Sequence, residues 1–253
     1  MRRSIMVGNW KMHKTVSEAV ALVQALRAAV ADVRDVDIGV APPFTALLAV
    51  AEAMRGSNMF LSAQNMHQEA RGAFTGEIAP AMLTDVGCSR VIIGHSERRQ
   101  SFGETDVSVN RKLHAALESQ LDPILCVGET LEQREANATL RVLERQLRDG
   151  LAGISPEGIP RIVIAYEPVW AIGTGKTATP EQAQEVHAFM RTLVGTLYGK
   201  PLADDVRIQY GGSVNPGNIR TLMAQPDVDG ALVDGASLDA ASFAQIVLFR
   251  RRE

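Results

Sequence analysis

Glu167 occupies a position that is typical of a catalytic base. The residues before it, 161–166, form a short run rich in β-branched side chains, as expected for a buried strand. Pro168 cannot donate a hydrogen bond to a sheet, so the strand must end near Glu167. A lone glutamate after a strand is usually solvated and structural. The apolar and glycine content of the next residues favours the catalytic alternative.

The loop after Glu167 combines bulky apolar residues with glycines. Trp170 and Ile172 are apolar in what should be a surface loop, and Gly173 and Gly175 add backbone freedom and bare N–H groups. This composition predicts a lid that packs down over a ligand. Gly175-Lys176-Thr177 resembles the end of a nucleotide-binding P-loop, but the first glycine of that motif would fall at Trp170, so we reject the nucleotide interpretation.

Two further polar residues end predicted strands. His95 follows a β run and precedes Ser96, which could cap a short helix, and a helix N-terminus favours a neutral imidazole that can donate a hydrogen bond. Lys11 would stabilise negative charge on an anionic substrate. The structural alternatives are a buried histidine with no catalytic role and a surface lysine.

Glycine-rich segments follow the last two predicted strands. They are Gly211-Gly212-Ser213 and Gly235-Ala236-Ser237. Glycine makes tight turns far more often than it binds anions. Two such loops side by side nevertheless favour a phosphate site built from backbone amides, and hence a phosphorylated substrate.

The elements that carry these residues alternate regularly along the chain. Predicted strands cover residues 5–10, 38–41, 59–63, 90–94, 123–127, 162–166, 207–210 and 230–233. Predicted helices cover residues 17–32, 45–55, 80–86, 107–121, 131–151, 180–198, 218–224 and 242–250. Eight consecutive βα units in 253 residues predict one domain, 1–253, folded as a closed parallel (β/α)8 TIM barrel with outer helices. A doubly wound open sheet is the alternative, but no Gly-x-Gly-x-x-Gly follows the first strand.

Composition narrows the possible partners and surroundings. With 46% hydrophobic residues, 22% charged residues and a formal net charge of −3, the chain gives no electrostatic reason to bind nucleic acid or an anionic membrane. No apolar run approaches membrane-spanning length, and no targeting peptide is evident. Cys88 and Cys126 lie in apolar settings that suit reduced thiols, so we expect a cytoplasmic protein. No histidine, cysteine and carboxylate cluster has metal-ligand spacing.

In a barrel of this kind, side chains at the carboxyl ends of the strands share one mouth. A carboxylate base, a neutral imidazole, a lysine and phosphate loops together suit proton abstraction next to a carbonyl and stabilisation of the enediolate that results. This chemistry requires no cofactor.

Several separate motifs resemble the triosephosphate isomerase family. They are Gly8-Asn9-Trp10-Lys11-Met12, Gly72-Ala73-Phe74-Thr75-Gly76-Glu77, Ile93-Gly94-His95-Ser96-Glu97-Arg98-Arg99, Tyr166-Glu167-Pro168-Val169-Trp170-Ala171-Ile172-Gly173-Thr174-Gly175-Lys176 and Gln209-Tyr210-Gly211-Gly212-Ser213-Val214. The resemblance implies interconversion of dihydroxyacetone phosphate and D-glyceraldehyde 3-phosphate in glycolysis and gluconeogenesis.

The resemblance also implies a role for each catalytic side chain. Glu167 would move the carbon-bound proton, and His95 would polarise the carbonyl and relay protons between the enediolate oxygens. Lys11 and Asn9 would complete the polar site, with Glu97 orienting its neighbours.

Substrate binding and assembly are implied in the same way. Backbone N–H groups of Gly173, Ser213 and the Asp234-Gly235 pair would hold the phosphate beneath a lid that contains Trp170. A homodimer is implied through the loop from Gln64 to Glu77, with Thr75 at its tip reaching the partner's site.

One residue departs from the family pattern. Asp234 stands where the family usually has a glycine, which places a carboxylate beside the expected phosphate. Like charges at this separation repel, so we expect the Asp234 side chain to point outward and phosphate binding to persist.

Two other functions would use the same features. A phosphate-handling aldolase would form a Schiff base on Lys11, and a non-catalytic phosphate-binding protein could retain the same fold. The combination of Lys11, His95 and Glu167 favours the isomerase over both.

Overall fold

Eight parallel strands close into a barrel in chain order. The computed structural model describes residues 2–172 and 177–251. The strands are β1 (Ser4–Asn9), β2 (Val36–Ala41), β3 (Met59–Ala63), β4 (Arg90–Ile93), β5 (Asp122–Val127), β6 (Val163–Tyr166), β7 (Arg207–Tyr210) and β8 (Gly230–Val233). Each strand pairs with its sequence neighbour, and β1 pairs with β8. The predicted closed barrel is confirmed, and the doubly wound open sheet is wrong.

Side chains on the two faces of the strands form two apolar layers. Ile5 and Val7 of β1 point into the barrel, where they join Ile92, Ile124 and other strand residues in a cluster without helical members. Met6, between them, packs outward against residues of the surrounding helices. Burial on both faces explains why these strands are continuous apolar runs rather than alternating ones.

Helices surround the barrel. The structure describes α1 (Val16–Ala29), α2 (Leu47–Met54), α3 (Pro80–Asp85), α4 (Ser96–Ser101), α5 (Asp106–Glu118), α6 (Leu131–Glu135), α7 (Thr139–Gly150), α8 (Pro180–Tyr198), α9 (Lys200–Asp205), α10 (Ile219–Leu222) and α11 (Ala240–Val247). Short 3-10 helices cover Phe44–Ala46, Ile159–Arg161, Val169–Ala171 and Gly235–Leu238. None of the helices in the described ranges is long and apolar enough to cross a membrane.

The predicted helix at 131–151 is wrong in one respect: it is two helices, α6 and α7. Asn137 between them adopts a left-handed conformation with φ of 53°, which breaks the helical path. The start of α8 agrees with prediction. Thr179 Oγ1 accepts from the Gln182 N–H at 3.2 Å, and Gln182 Oε1 accepts from the Thr179 N–H at 3.0 Å, so the two residues cap the helix reciprocally.

His187 of α8 lies in the layer between helices and barrel. It is fully buried, its ring stands 5.9 Å from that of Tyr166, and Nδ1 is 3.2 Å from the Asp227 carbonyl oxygen. Burial disfavours the imidazolium and lowers the pKa of His187 to about 4. The folded protein therefore holds this ring neutral.

We expect replacement of Gly230 to strain the closure between β1 and β8. A Cβ at Gly230 would lie 1.8 Å from the Ile5 carbonyl oxygen. Gly230→Ala should lower the free energy of unfolding by about 2 kcal/mol or more, the range of overpacked cores. In Gly195→Ala on α8 the new Cβ meets its nearest neighbour at 3.5 Å, and helix propensity favours alanine, so stability should hold or rise. Urea unfolding of both variants measures the difference, and equal midpoints would contradict the expectation.

We expect His187 to make the protein less stable in acid. Its pKa in the folded state lies below the ordinary 6.5, so the unfolded chain takes up a proton first as the pH falls. The contribution is complete above about pH 6.5 and is lost towards pH 4, by about 3 kcal/mol. Urea unfolding across this range should show a flatter acid limb for His187→Gln. Parallel pH profiles for the two proteins would refute the assignment.

Candidate active site

Glu167 lies at the carboxyl end of β6 with its side chain buried. Its N–H donates to the Val127 carbonyl oxygen at 2.8 Å, which continues the pairing with β5. A Cβ at Gly128 would lie 1.7 Å from the Glu167 carbonyl oxygen, so only glycine allows this approach. The carboxylate accepts at Oε2 from the Ser96 N–H at 2.8 Å, across the barrel mouth. The neighbouring strand therefore fixes the Glu167 backbone, and the start of α4 holds its carboxylate.

His95 follows β4 and caps the N-terminus of α4. Its Nδ1 accepts from the Glu97 N–H at 3.2 Å, and its Nε2 lies 2.9 Å from Glu167 Oε1. An acceptor at Nδ1 needs a lone pair there, so the ring proton resides on Nε2 and faces the carboxylate. The predicted short helix after His95 is confirmed, whereas the predicted neutral imidazole stays a prediction.

The two buried groups shift each other's pKa. Burial disfavours both charged forms, yet the Glu167 carboxylate raises the pKa of His95. Burial is likewise outweighed at Glu167, whose pKa is lowered by His95 and by the Ser96 N–H. The Glu97 N–H opposes a proton on Nδ1, whereas the Glu167 carboxylate favours one on the ring, so the two contacts act on His95 in opposite directions. A carboxylate paired with an imidazole can remove one proton and donate to an oxygen.

Lys11 follows β1 in a left-handed backbone conformation, with φ of 49°. This conformation is uncommon outside glycine and is held from both sides. The Lys11 N–H donates to Asn9 Oδ1 at 3.2 Å, and Gln64 Nε2 donates to the Lys11 carbonyl oxygen at 2.9 Å. Asn9, which is buried at the end of β1, thus positions the lysine backbone.

The Lys11 ammonium contacts two carboxylates. Nζ lies 2.8 Å from Glu97 Oε1 and 2.9 Å from Asp234 Oδ2. Burial alone would lower the pKa of Lys11, but the two carboxylates, Asp234 first, raise it above its ordinary value. A lysine held protonated is a poor nucleophile, which disfavours the Schiff-base alternative.

The predicted orientation of Asp234 is wrong. Its carboxylate turns toward Lys11 instead of outward, because pairing with the ammonium offsets the desolvation of a half-buried carboxylate. Burial nevertheless raises the pKa of Asp234, because its effect outweighs the opposing effect of the Lys11 ammonium.

The predicted phosphate loops meet at the same cavity as Lys11. A cavity of about 450 Å³ is lined by Asn9, Lys11, Ser213, Asp234 and Gly235, among others. The N–H groups of Ser213 and Gly235 donate to no acceptor within residues 2–172 and 177–251, so both are available to a ligand. Gly173, with Thr174, Gly175 and Lys176, lies outside the described residues, and its predicted phosphate contact stays a prediction.

Sequence reasoning missed Glu129, which anchors the start of the predicted lid. Its Oε1 accepts from Trp170 Nε1 at 2.9 Å and from the Tyr166 hydroxyl at 3.1 Å. The Arg134 guanidinium lies 3.2 Å from the same oxygen and 4.5 Å from the Trp170 ring centre. Glu129 follows β5 by one glycine, Gly128. This position just past a strand end, like that of Glu167, is the sequence signal that could have identified it.

Thr75 does not line the cavity that contains Lys11. The segment from Gln64 to Glu77 leaves the barrel after β3, and its residues 69–77 are exposed, Thr75 among them. Within the segment the rings of His67 and Phe74 stand 4.2 Å apart.

Comparison with known proteins agrees with the geometry. The family model for triosephosphate isomerase matches residues 4–250. A triosephosphate isomerase of Endomicrobium trichonymphae is 58% identical over 99% of this chain and all of its own length. Those of Pelobacter propionicus and Moorella thermoacetica are each 59% identical, over 99% and 98% of this chain and 100% and 98% of their own length. The chain belongs to the triosephosphate isomerase family.

Proposed function

We propose that this protein interconverts dihydroxyacetone phosphate and D-glyceraldehyde 3-phosphate through an enediolate, in glycolysis and gluconeogenesis. The contact between Glu167 Oε1 and His95 Nε2, at 2.9 Å beside the Lys11 cavity, carries the proposal. It places a base and an electrophile side by side, as proton transfer between adjacent carbons requires.

Glu167 is the base in this reaction. Its lowered pKa keeps the carboxylate ionised at neutral pH, and its burial excludes the water that would otherwise solvate the charge. It takes the proton from the carbon next to the carbonyl and returns it to the neighbouring carbon. The Ser96 N–H orients one carboxylate oxygen and leaves the other towards His95.

His95 acts as a neutral donor. Its Nε2–H polarises the carbonyl oxygen and then exchanges protons with the two enediolate oxygens, the role for which this family is the best-known example. The Glu97 N–H on Nδ1 supports the neutral ring. Glu97 also contacts Lys11 through its carboxylate, which supports a positioning role.

Lys11, Asn9 and the loop amides bind substrate. The ammonium of Lys11 would stabilise the negative charge of the enediolate and phosphate, and Asn9 holds the lysine backbone. The N–H groups of Ser213 and Gly235, which meet no acceptor among the described residues, would bind the phosphate, with Asp234 beside them and Gly173 as a further predicted donor. The reaction as proposed uses no cofactor and no metal.

We also propose a cytoplasmic homodimer built on the segment from Gln64 to Glu77. The side chain of Phe74 in this segment is 45% exposed, and such apolar exposure is stabilised when a second copy covers it. Thr75 at the tip would then support the partner's site. The free, buried thiols of Cys88 and Cys126 are compatible with a reducing compartment.

Removal of the base should abolish most of the activity. Glu167→Gln keeps the size of the side chain but cannot take up the proton, so we expect kcat to fall by about a thousandfold with little change in stability. A coupled assay for glyceraldehyde 3-phosphate formed from dihydroxyacetone phosphate measures it. Glu135→Gln, on the exposed face of α6, is the matched control and should retain activity. Absence of turnover in the wild type, or an equally active Glu167→Gln, would refute the proposed function.

The proposed dimer predicts an effect of charge at Phe74. Phe74→Asp should shift the protein to monomers in light scattering coupled to gel filtration, because a carboxylate would be desolvated in the interface. Leu140→Asp is the matched control, since Leu140 is 39% exposed on α7, outside the segment. A wild type that is monomeric at all concentrations would rule out the dimer.

A further inference from the structure

The Asp234 carboxylate occupies one side of the cavity that the proposed function assigns to phosphate. Asp234 directly follows β8 and precedes the 3-10 helix Gly235–Leu238. Its Oδ2 lies 2.9 Å from Lys11 Nζ, and its side chain is only 24% exposed. The protein thus supplies its own anion to the lysine.

Lys11 is the only lysine or arginine that lines this cavity in the described part of the chain. Its ammonium already contacts Glu97 as well as Asp234. An entering phosphate dianion therefore meets a cation whose charge is compensated, with a carboxylate next to it. Within residues 2–172 and 177–251, the other donors available to it are the amides of Ser213 and Gly235, which carry partial charges only.

Two anions that share one ammonium in a half-buried cavity cannot both keep their charge and their contact without loss. The carboxylate must leave Lys11 or take up a proton when the dianion binds. Burial already raises the pKa of Asp234, so this carboxyl group is easier to neutralise than one on the surface. Either response reduces the net affinity for the dianion.

We infer that Asp234 is a built-in competitor of the substrate phosphate: it forms an ion pair with Lys11 and thereby weakens the binding of dianionic ligands. The inference rests on the proposed function only in taking this cavity as the phosphate site. It makes Asp234 a determinant of affinity rather than a catalytic residue.

Competition by a carboxylate depends on pH, and other groups face the same region. They are Lys11 and His13 after β1, His95 and Glu97 at the start of α4, and Glu167 after β6. These groups are shared by the wild type and Asp234→Asn. The difference between the two proteins therefore isolates the contribution of Asp234.

The test is titration calorimetry with sulfate, which stays dianionic across the accessible pH range. Asp234→Asn removes the charge but keeps an oxygen that can accept from Lys11, and Asp234→Gly removes the side chain. At about pH 8 both variants should bind sulfate at least about tenfold more tightly than the wild type. Asp205→Asn removes one charge at the opposite end of the barrel, where α9 leads into β7, and should match the wild type.

The pH dependence has a defined sign. Above its pKa Asp234 is ionised and competes, and protonation at lower pH removes the competitor. Because burial raises the pKa of Asp234 above its ordinary value, wild-type affinity for sulfate should approach that of Asp234→Asn as the pH falls. A ratio of affinities that stays constant with pH would contradict competition by an ionised carboxylate.

Steady-state kinetics distinguish two roles of Asp234: competition with the phosphate, which affects KM, and positioning of Lys11, which affects kcat. We expect Asp234→Asn to lower KM for the triose phosphate about tenfold with kcat within about threefold of wild type. A fall in kcat with unchanged KM, or sulfate binding no tighter than wild type in both variants, would overturn the inference. Sulfate binding is read without turnover, so an inactive wild type would refute the proposed function and leave this test intact.

Discussion

Two successive backbone N–H groups at the start of α4 hold the side chains of Glu167 and His95. The Ser96 N–H donates to Glu167 and the Glu97 N–H donates to His95 Nδ1. One stabilises the ionised carboxylate and the other excludes a proton from Nδ1. The proposed reaction needs both states at once, an ionised base and a neutral donor. A side-chain donor could move or titrate, whereas these amides are set by the helix.

That arrangement depends in turn on the closure of the barrel. Glu167 and His95 come from β6 and β4, which are separated by β5, and the close approach at Gly128 keeps β5 against Glu167. Lys11 and Asp234 come from β1 and β8, which meet only because the sheet closes. If the sheet kept this strand order but stayed open between β8 and β1, these two strands would lie at opposite edges, and the ion pair between them could not form. Closure therefore determines the charge around the lysine.

The carboxylates at the barrel mouth outnumber the lysine that is proposed to face a dianion. Three carboxylates, those of Glu97, Glu167 and Asp234, surround one lysine. Glu167 must be ionised to act as a base, and Glu97 holds the ammonium from the exposed side. The proposed reaction assigns no such role to the charge of Asp234.

Much of this protein could be predicted from sequence alone. Short β-type runs that alternate with amphipathic segments predict all eight strands, and the residues that follow those runs include Lys11, His95 and Glu167. Local patterns sufficed because strand length, burial on both faces and helix capping are determined by nearby residues. The family resemblance extended this to the substrate.

Only the tertiary structure decided the side-chain partners. The outward orientation predicted for Asp234 considered only the repulsion between its carboxylate and a bound phosphate. It did not include the attraction of Lys11, which lies far away along the chain. The sequence predicts one helix over α6 and α7 because a left-handed residue such as Asn137 does not change the spacing of apolar residues from which helices are predicted. Sequence reasoning missed Glu129, whose partners Tyr166 and Trp170 belong to another βα unit. The types of residue at the mouth follow from the sequence, whereas their pairing and charge depend on which strands the closed barrel makes neighbours.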